Sequence, residues 1–290
     1  MSAFRENDHD GEVGLDDEAI TLSAATLAAL REFALEKGVQ MRRAATEDED
    51  DVEGEGEGAA AVDVVRAVQQ HFDVKDKETI FRPSFGGVTL ELMGLKRELG
   101  QTLDSTGLTI WRAADHLCEY VAANREMFRN KKVLELGCGL GVVAILLNKL
   151  GVGARILATD GDEKALALLQ KNMHTNSCDD LLSAEKLWWS EDPAELESFV
   201  RSYCEGQRFD VILAADVIYD ESAVLPLAAT CAALLMPEAE AHVTLGFARR
   251  NVSIGAFIAA AEARGLRSTL VESFGEFGNE AIYRLEWAWA

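Results

Sequence analysis

The chain has 290 residues, 48% of them hydrophobic, and carries a formal net charge of −22 at pH 7. That length and apolar content suit one large α/β domain with an appendage. The acidic balance argues against a broad nucleic-acid footprint, which needs basic side chains to displace counterions from phosphate, and favours basic or lysine-rich partners.

In chain order, residues 1–58 hold 17 acidic against 5 basic side chains, so −12 of the net charge sits in the first fifth. The N-terminus is too acidic and polar to resemble a secretory or mitochondrial leader, and no run of eighteen apolar residues follows. A soluble, intracellular, cytoplasmic protein is expected, with the nucleus left open. Residues 1–19 and 45–58 combine like charge with glycine, so a largely disordered tail and linker are expected there. Between them, the apolar spacing of residues 21–37, a Thr or Ser cap and Gly38 predict an amphipathic helix, either a docking element or a loosely packed one. Residues 59–105 read as an extension made of a helix and a hairpin. The hairpin is carried by residues 78–97, which alternate apolar and polar around Gly86-Gly87.

From Thr106 the pattern changes to strict alternation of strands and helices. A helix over about 110–127 precedes strand 132–136, helix 141–150, strand 155–159, helix 162–175, strand 184–189, helix 193–204 and strand 209–215. Helix 223–235, strand 240–246, helix 252–264 and strands near 267–272 and 281–287 complete residues 106–290. Alternation of this kind builds a parallel sheet with helices on both faces and places ligands at the carboxyl ends of the strands. The link Phe274–Gly278 is too short for a crossover helix, so the last two strands must pair antiparallel.

The chemistry concentrates in a few segments. Strand Lys132-Val-Leu-Glu-Leu136 runs into a turn with Gly137, Gly139 and Gly141, which lets the backbone approach a ligand closely. A lone Gly-x-Gly-x-Gly could be a plain strand-to-helix turn or could hold NAD. Here the next strand ends at Asp160, followed by Gly161, and places a carboxylate where it can accept both hydroxyls of an adenosine ribose; a helix N-cap is the alternative role. Asp216 and Tyr219 form an Asp-x-x-Tyr motif after the fourth strand, and Phe247–Asn251 follows the fifth as a rim segment or a solvated basic loop. The cysteines Cys118, Cys138, Cys178, Cys204 and Cys231 have neither C-x-x-C nor His spacing for zinc and read as reduced thiols, with no metal.

The segment Glu135-x-Gly-x-Gly-x-Gly141 resembles the cofactor loop of S-adenosylmethionine-dependent methyltransferases. With Gly107–Trp111 upstream, Leu187-Trp-Trp189 and Ala215-Asp216-Val-Ile-Tyr219, residues 106–290 resemble the seven-strand protein-lysine methyltransferases that modify non-histone proteins. The resemblance implies a Rossmann-like seven-stranded sheet with an antiparallel C-terminal strand and S-adenosyl-L-methionine as cofactor. It implies that Trp111, Glu135, Gly137, Cys138, Gly139, Gly141, Asp160, Gly161, Trp189 and Ala215 contact the cofactor, and that Asp216 and Tyr219 meet the target amine. The family places glycine after its strand-three tryptophan. Here that position is Ser190 and a second indole, Trp188, precedes Trp189, so which indole meets adenine stays open. The expected substrate is a protein presenting a lysine in a basic context, with no membrane role and no nucleic acid. The alternatives are a histidine acceptor, an RNA or small-molecule methyltransferase, and a cofactor-binding interaction scaffold without activity.

Overall fold

A computed structural model describes residues 11–15, 18–22, 78–96, 106–238, 240–248, 252–274 and 280–289. The chain divides into two compact units, Met1–Glu78 and Thr79–Ala290. In the first, strands β1 (Gly11–Leu15) and β2 (Glu18–Leu22) pair antiparallel, with Leu15 opposite Glu18 and Gly11 opposite Leu22. This corrects two expectations. Residues 11–15, 18 and 19 belong to paired strands instead of a tail, and Thr21 and Leu22, expected to open a helix, end the second strand. The charge argument weighed burial, whereas a two-stranded ladder needs only paired backbone groups, and here Val13, Leu15, Ile20 and Leu22 supply a two-residue alternation. The remainder of the expected helix over 21–37, the linker 45–58 and the expected helix after residue 59 lie outside the described residues.

The second unit opens with nested hairpins. Strands β3 (Glu78–Phe81) and β6 (Leu92–Leu95) pair around the inner pair β4 (Ser84–Phe85) and β5 (Val88–Thr89). The inner turn is Gly86-Gly87, with φ of 54° and 84°, the left-handed pair that matches strand twist in a two-residue hairpin.

Then follow α1 (Arg112–Ala123), β7 (Lys132–Leu136), α2 (Val142–Lys149), β8 (Arg155–Asp160), α3 (Glu163–Thr175) and β9 (Leu182–Lys186). The chain continues through α4 (Pro193–Tyr203), β10 (Val211–Ala215), α5 (Val224–Leu234), β11 (His242–Ala248), α6 (Ile254–Glu262), β12 (Leu266–Phe274) and β13 (Glu280–Trp287). Seven strands form one sheet in the order β12-β13-β11-β10-β7-β8-β9, parallel except that β13 runs antiparallel to both neighbours. The expected α/β fold with its antiparallel ending is therefore present.

Strand alternation divides the core between the two faces. Leu134, Leu136, Ile212 and Val243 join Phe199, Leu227 and Phe257 on one side, and Val133, Ile156 and Leu213 join Leu117, Val121 and Ile145 on the other. Two asparagines one turn apart, Asn172 on α3 and Asn176 at its C-cap, dock the hairpin to this body. The fully buried Asn172 accepts the Met93 N–H at 2.7 Å and donates to the Met93 and Leu140 carbonyls, both at 3.1 Å. Asn176 accepts from the Glu91 N–H and donates to its carbonyl. A backbone bond from the Leu95 N–H to the Leu108 carbonyl carries the hairpin on to the segment before α1.

Strand β9 ends earlier than residue 189. Its ladder with β8 runs from Ile156–Leu182 to Asp160–Lys186, and the Leu187 N–H makes a last bond to the Asp160 carbonyl. Trp188 and Trp189 therefore stand in the loop beyond the strand, corrected from the expected strand position. Apolar bulk suggested strand, but both indoles sit at the sheet's carboxyl edge, where the chain leaves the ladder.

Candidate active site

The sheet order reverses at β7: β8 and β9 extend to one side, β10 and β11 to the other. In open α/β sheets the crevice at such a reversal is where ligands bind. Here it is framed by the glycine turn after β7 and the Asp216 turn after β10, on adjacent strands paired through Leu136 and Ala214. A cavity of about 570 Å³ opens there, within the range of small-molecule sites.

The glycine turn has all three glycines in the left-handed region, at φ of 65°, 51° and 81° for Gly137, Gly139 and Gly141. Each is crowded, so glycine is required for space as well as conformation. A Cβ on Gly137 would lie 2.8 Å from Val217 Cγ1, one on Gly139 3.0 Å from the Gly107 carbonyl oxygen, and one on Gly141 2.1 Å from Leu169 Cδ1. Gly137, Cys138 and Gly139 line the cavity; Gly141, at the N-cap of α2, lies outside the lining and packs against α3. The buried Cys138 donates its N–H to the Thr159 carbonyl, and burial pushes its thiol pKa up.

Two carboxylates face the turn. Glu135 is 2% exposed, accepts the Ala144 N–H of α2 at 2.9 Å, and has its pKa pushed up to about 8, chiefly by burial and further by Asp160. Asp160 accepts the Gly139 N–H at 2.9 Å and the Asp162 N–H at 3.0 Å; burial raises its pKa, opposed by these backbone bonds. Asp162 caps α3 by accepting the Lys164 N–H, so the capping role is filled and the Asp160 carboxylate instead ties the glycine turn to β8.

The aromatic residues crown the cavity. Trp188 is 71% exposed and lies over Gly161, where a Cβ would come within 2.9 Å of its ring. Trp189 approaches Gly137 and is partly buried against the core. Trp111 lines the wall and donates its indole N–H to the Thr106 carbonyl at 2.8 Å. Asp216 is buried with φ of 58° and donates its N–H to the Gly246 carbonyl. That conformation is uncommon for a residue with a side chain and is found at functional turns. Tyr219 is half-exposed, and its hydroxyl accepts from Thr106 Oγ1 at 3.3 Å.

All the sequence-predicted site residues except Gly141 thus line one cavity, Ala215 and Gly161 among them. Trp188, the second indole that the sequence left open, lines it too, and sequence reasoning missed Thr106 and Thr109. Their signal was position, Thr106 beside and Thr109 within Gly107–Trp111. Phe247 and Ala248 belong to β11 and do not line the cavity, and residues 249–251 lie outside the described residues.

A family profile described as lysine methyltransferase matches residues 95–264, more than half of the chain. The chain belongs to this lysine methyltransferase family. Among its curated relatives, protein-lysine N-methyltransferase EFM3 of Chaetomium thermophilum is 31% identical over 179 residues, 61% of this chain and 53% of that protein. Protein-lysine N-methyltransferase EFM6 of Saccharomyces cerevisiae is 30% identical over 48% of this chain and 62% of its own length. Human protein-lysine N-methyltransferase EEF2KMT is 31% identical over 50% of this chain and 44% of its own. The chain spans about half the length of these relatives. A solved structure of a protein assigned as a methyltransferase and complexed with SAH aligns at a TM-score of 0.52 and 11% identity, over 77% of this chain and 65% of that one, and shares the fold.

Proposed function

We propose that the chain is an S-adenosylmethionine-dependent methyltransferase that acts on a lysine side chain of a non-histone protein, working in the cytoplasm. The observation that carries the reading is the convergence, in one cavity at the sheet reversal, of the Glu135 glycine turn, Asp160 and the Asp216–Tyr219 motif. The named activities of the family relatives support it.

In this reading the cavity residues fit the cofactor by chemical type. Asp160 accepts the ribose hydroxyls, Gly137 and Gly139 let the backbone lie against the methionyl part, and Glu135 faces its ammonium. Trp188 and Trp189 offer aromatic faces beside Asp160 and Gly137 for the adenine. The cofactor supplies an electrophilic methyl group on a sulfonium. The protein's work is alignment, because in-line displacement by a neutral amine gains most of its rate from positioning. Asp216 orients the amine by accepting its hydrogen bond, and the Tyr219 ring attracts the ammonium form through its π-face. Thr106 holds the phenol in place. Desolvation beside Val217 and the tryptophans lowers the lysine pKa and favours the neutral nucleophile.

The charge of the site favours a basic substrate. The cavity is lined by Asp160, Asp162, Glu163 and Asp216 against Lys164 and Lys186, and Lys186 is already paired with Glu163 at 2.6 Å. Asp220 and Glu221 stand exposed just beyond Tyr219.

The test is transfer of labelled methyl from S-adenosylmethionine into cell lysate by wild type and Asp216→Ala, with parallel nuclease and protease digestion. A protease-sensitive band that Asp216→Ala abolishes, with methyl-lysine in its hydrolysate, is expected. Label lost to nuclease, or recovered as methyl-histidine, overturns the substrate assignment. Cofactor binding with no transfer to any lysate supports a scaffold instead.

A further inference from the structure

Thr106 joins two walls of the cavity that are far apart in sequence. It precedes α1, on the side where Gly107 packs against the glycine turn after β7, whereas Tyr219 lies in the loop that follows β10. Thr106 Oγ1 donates to the Tyr219 hydroxyl at 3.3 Å across a separation of 113 positions. The carbonyl of the same threonine accepts the Trp111 indole N–H at 2.8 Å. One residue thus ties together two aromatic side chains that line the cavity.

The base on which Thr106 stands is fixed by packing. A Cβ on Gly107 would lie 2.8 Å from the Ala165 Cβ and 3.6 Å from Asp160 Oδ2, and one on Gly139 would lie 3.0 Å from the Gly107 carbonyl oxygen. The following residue, Leu108, is buried, and its carbonyl accepts the Leu95 N–H at 2.7 Å. Tyr219 has no such base, being 46% exposed and part of neither a helix nor a strand. Among the described residues, Thr106 is the hydrogen-bond partner of its phenol.

A half-exposed aromatic side chain distributes over its staggered rotamers, and a bond from its far end to a fixed partner selects one of them. The selection matters for the chemistry. A ring attracts an ammonium only when the cation lies over its face, and in-line transfer is slowed steeply by small misplacements of the nucleophile.

We propose that Thr106 is a positioning residue for methyl transfer: its hydroxyl sets the ring of Tyr219 toward the target amine, and its carbonyl keeps that setting in register with Trp111 on the opposite wall. The inference rests on the acceptor reading above. Thr106 acts through Tyr219 and leaves the reacting atoms to Asp216 and the ring.

The test is a double-variant cycle in the full chain. Thr106→Val is nearly isosteric and loses the hydroxyl, Tyr219→Phe keeps the ring and loses the other end of the same bond, and Thr106→Ser keeps the hydroxyl. Labelled methyl transfer to lysate protein is followed at saturating S-adenosylmethionine, with cofactor affinity measured by calorimetry. Thr106→Val and Tyr219→Phe should each slow transfer by about 2- to 10-fold, the net worth of one hydrogen bond. The double variant should be no slower than either single one, because both remove the same bond. Thr106→Ser should transfer at the wild-type rate. Cofactor affinity should not change, because the main-chain acceptor of Trp111 is retained in every variant, and the melting temperature should not fall. Losses that multiply in the double variant, a Thr106→Val rate equal to wild type, a Thr106→Ser rate as low as that of Thr106→Val, or a loss carried by cofactor affinity or by a lower melting temperature would each overturn the proposal. Wild type that methylates no protein removes the acceptor reading and the proposal with it, whereas wild-type transfer with multiplying losses removes the proposal alone.

Discussion

Replacing Glu135 by glutamine should make the ligand-free protein more stable at alkaline pH while weakening its cofactor. Glu135 is the one charged side chain held fully inside the central strand, and burial pushes its pKa to about 8 from the ordinary 4.5. A folded-state pKa raised above the unfolded one means the stabilising contribution is complete below about pH 4.5 and is lost as pH rises towards 8. The gap is roughly 3.5 pKa units, and at about 1.36 kcal/mol per unit the ionised carboxylate costs on the order of 5 kcal/mol at pH 8.5. Glutamine can still accept the Ala144 N–H through its carbonyl oxygen and carries no charge to desolvate. Urea unfolding of wild type and Glu135→Gln at pH 5, 7 and 8.5 should therefore give nearly equal stabilities at pH 5 and a difference of several kcal/mol in favour of the variant at pH 8.5. The slope between these limits should approach one proton, about 1.4 kcal/mol per pH unit. Calorimetry should show the opposite order for the cofactor, the variant binding more weakly because its ammonium loses an anionic partner, and wild-type binding should tighten from pH 6 to 8 with proton release. Parallel stability curves for the two proteins across this range would refute the assignment of a desolvated, cation-seeking carboxylate.

Asp216→Asn should lower methyl transfer by about 100-fold or more in a single-turnover assay and leave cofactor affinity within a few-fold, since asparagine tolerates the 58° φ and keeps the backbone bond to Gly246. Trp188→Ala should raise the cofactor's dissociation constant without lowering the melting temperature, because the indole is 71% exposed. Trp189→Ala should cost about 2–3 kcal/mol of stability as well, because that ring packs into the core. Asn172→Ala removes three hydrogen bonds and strands buried groups of Met93 and Leu140, so chemical denaturation should show a loss of roughly 3 kcal/mol.

The central sheet was legible because its strands are short apolar runs bounded by glycine or charge, as at Lys132–Gly137 and Arg155–Asp160, where residue pattern and burial coincide. The candidate site was legible for a related reason: a carboxylate such as Glu135 or Asp160 inside or ending a buried strand has no place in a purely structural pattern. What escaped was decided by tertiary contact. The docking of the hairpin depends on Asn172 and the C-cap Asn176, whose i, i+4 spacing at the end of α3 resembles any polar helix face until the Met93 and Glu91 backbones lie against it. Trp188 and Trp189 read as strand because bulk is the same in a ladder and in a cavity wall. The β1–β2 hairpin was missed because acidic composition outweighed a short alternation.

The donor and acceptor sides of the proposed reaction are carried by neighbouring strands, β7 and β10, whose backbones are hydrogen-bonded one ladder spacing apart, about 4.8 Å. The separation of the two reactive groups is therefore a property of main-chain pairing, and no side-chain substitution on the rim can stretch it. In the proposed reading, the exposed Asp220 and Glu221 beyond Tyr219 can be replaced residue by residue while that pairing stays in register. In such a scaffold a change of target protein needs no reinvention of catalysis, and a chain that has lost its target can regain another through a surface change alone.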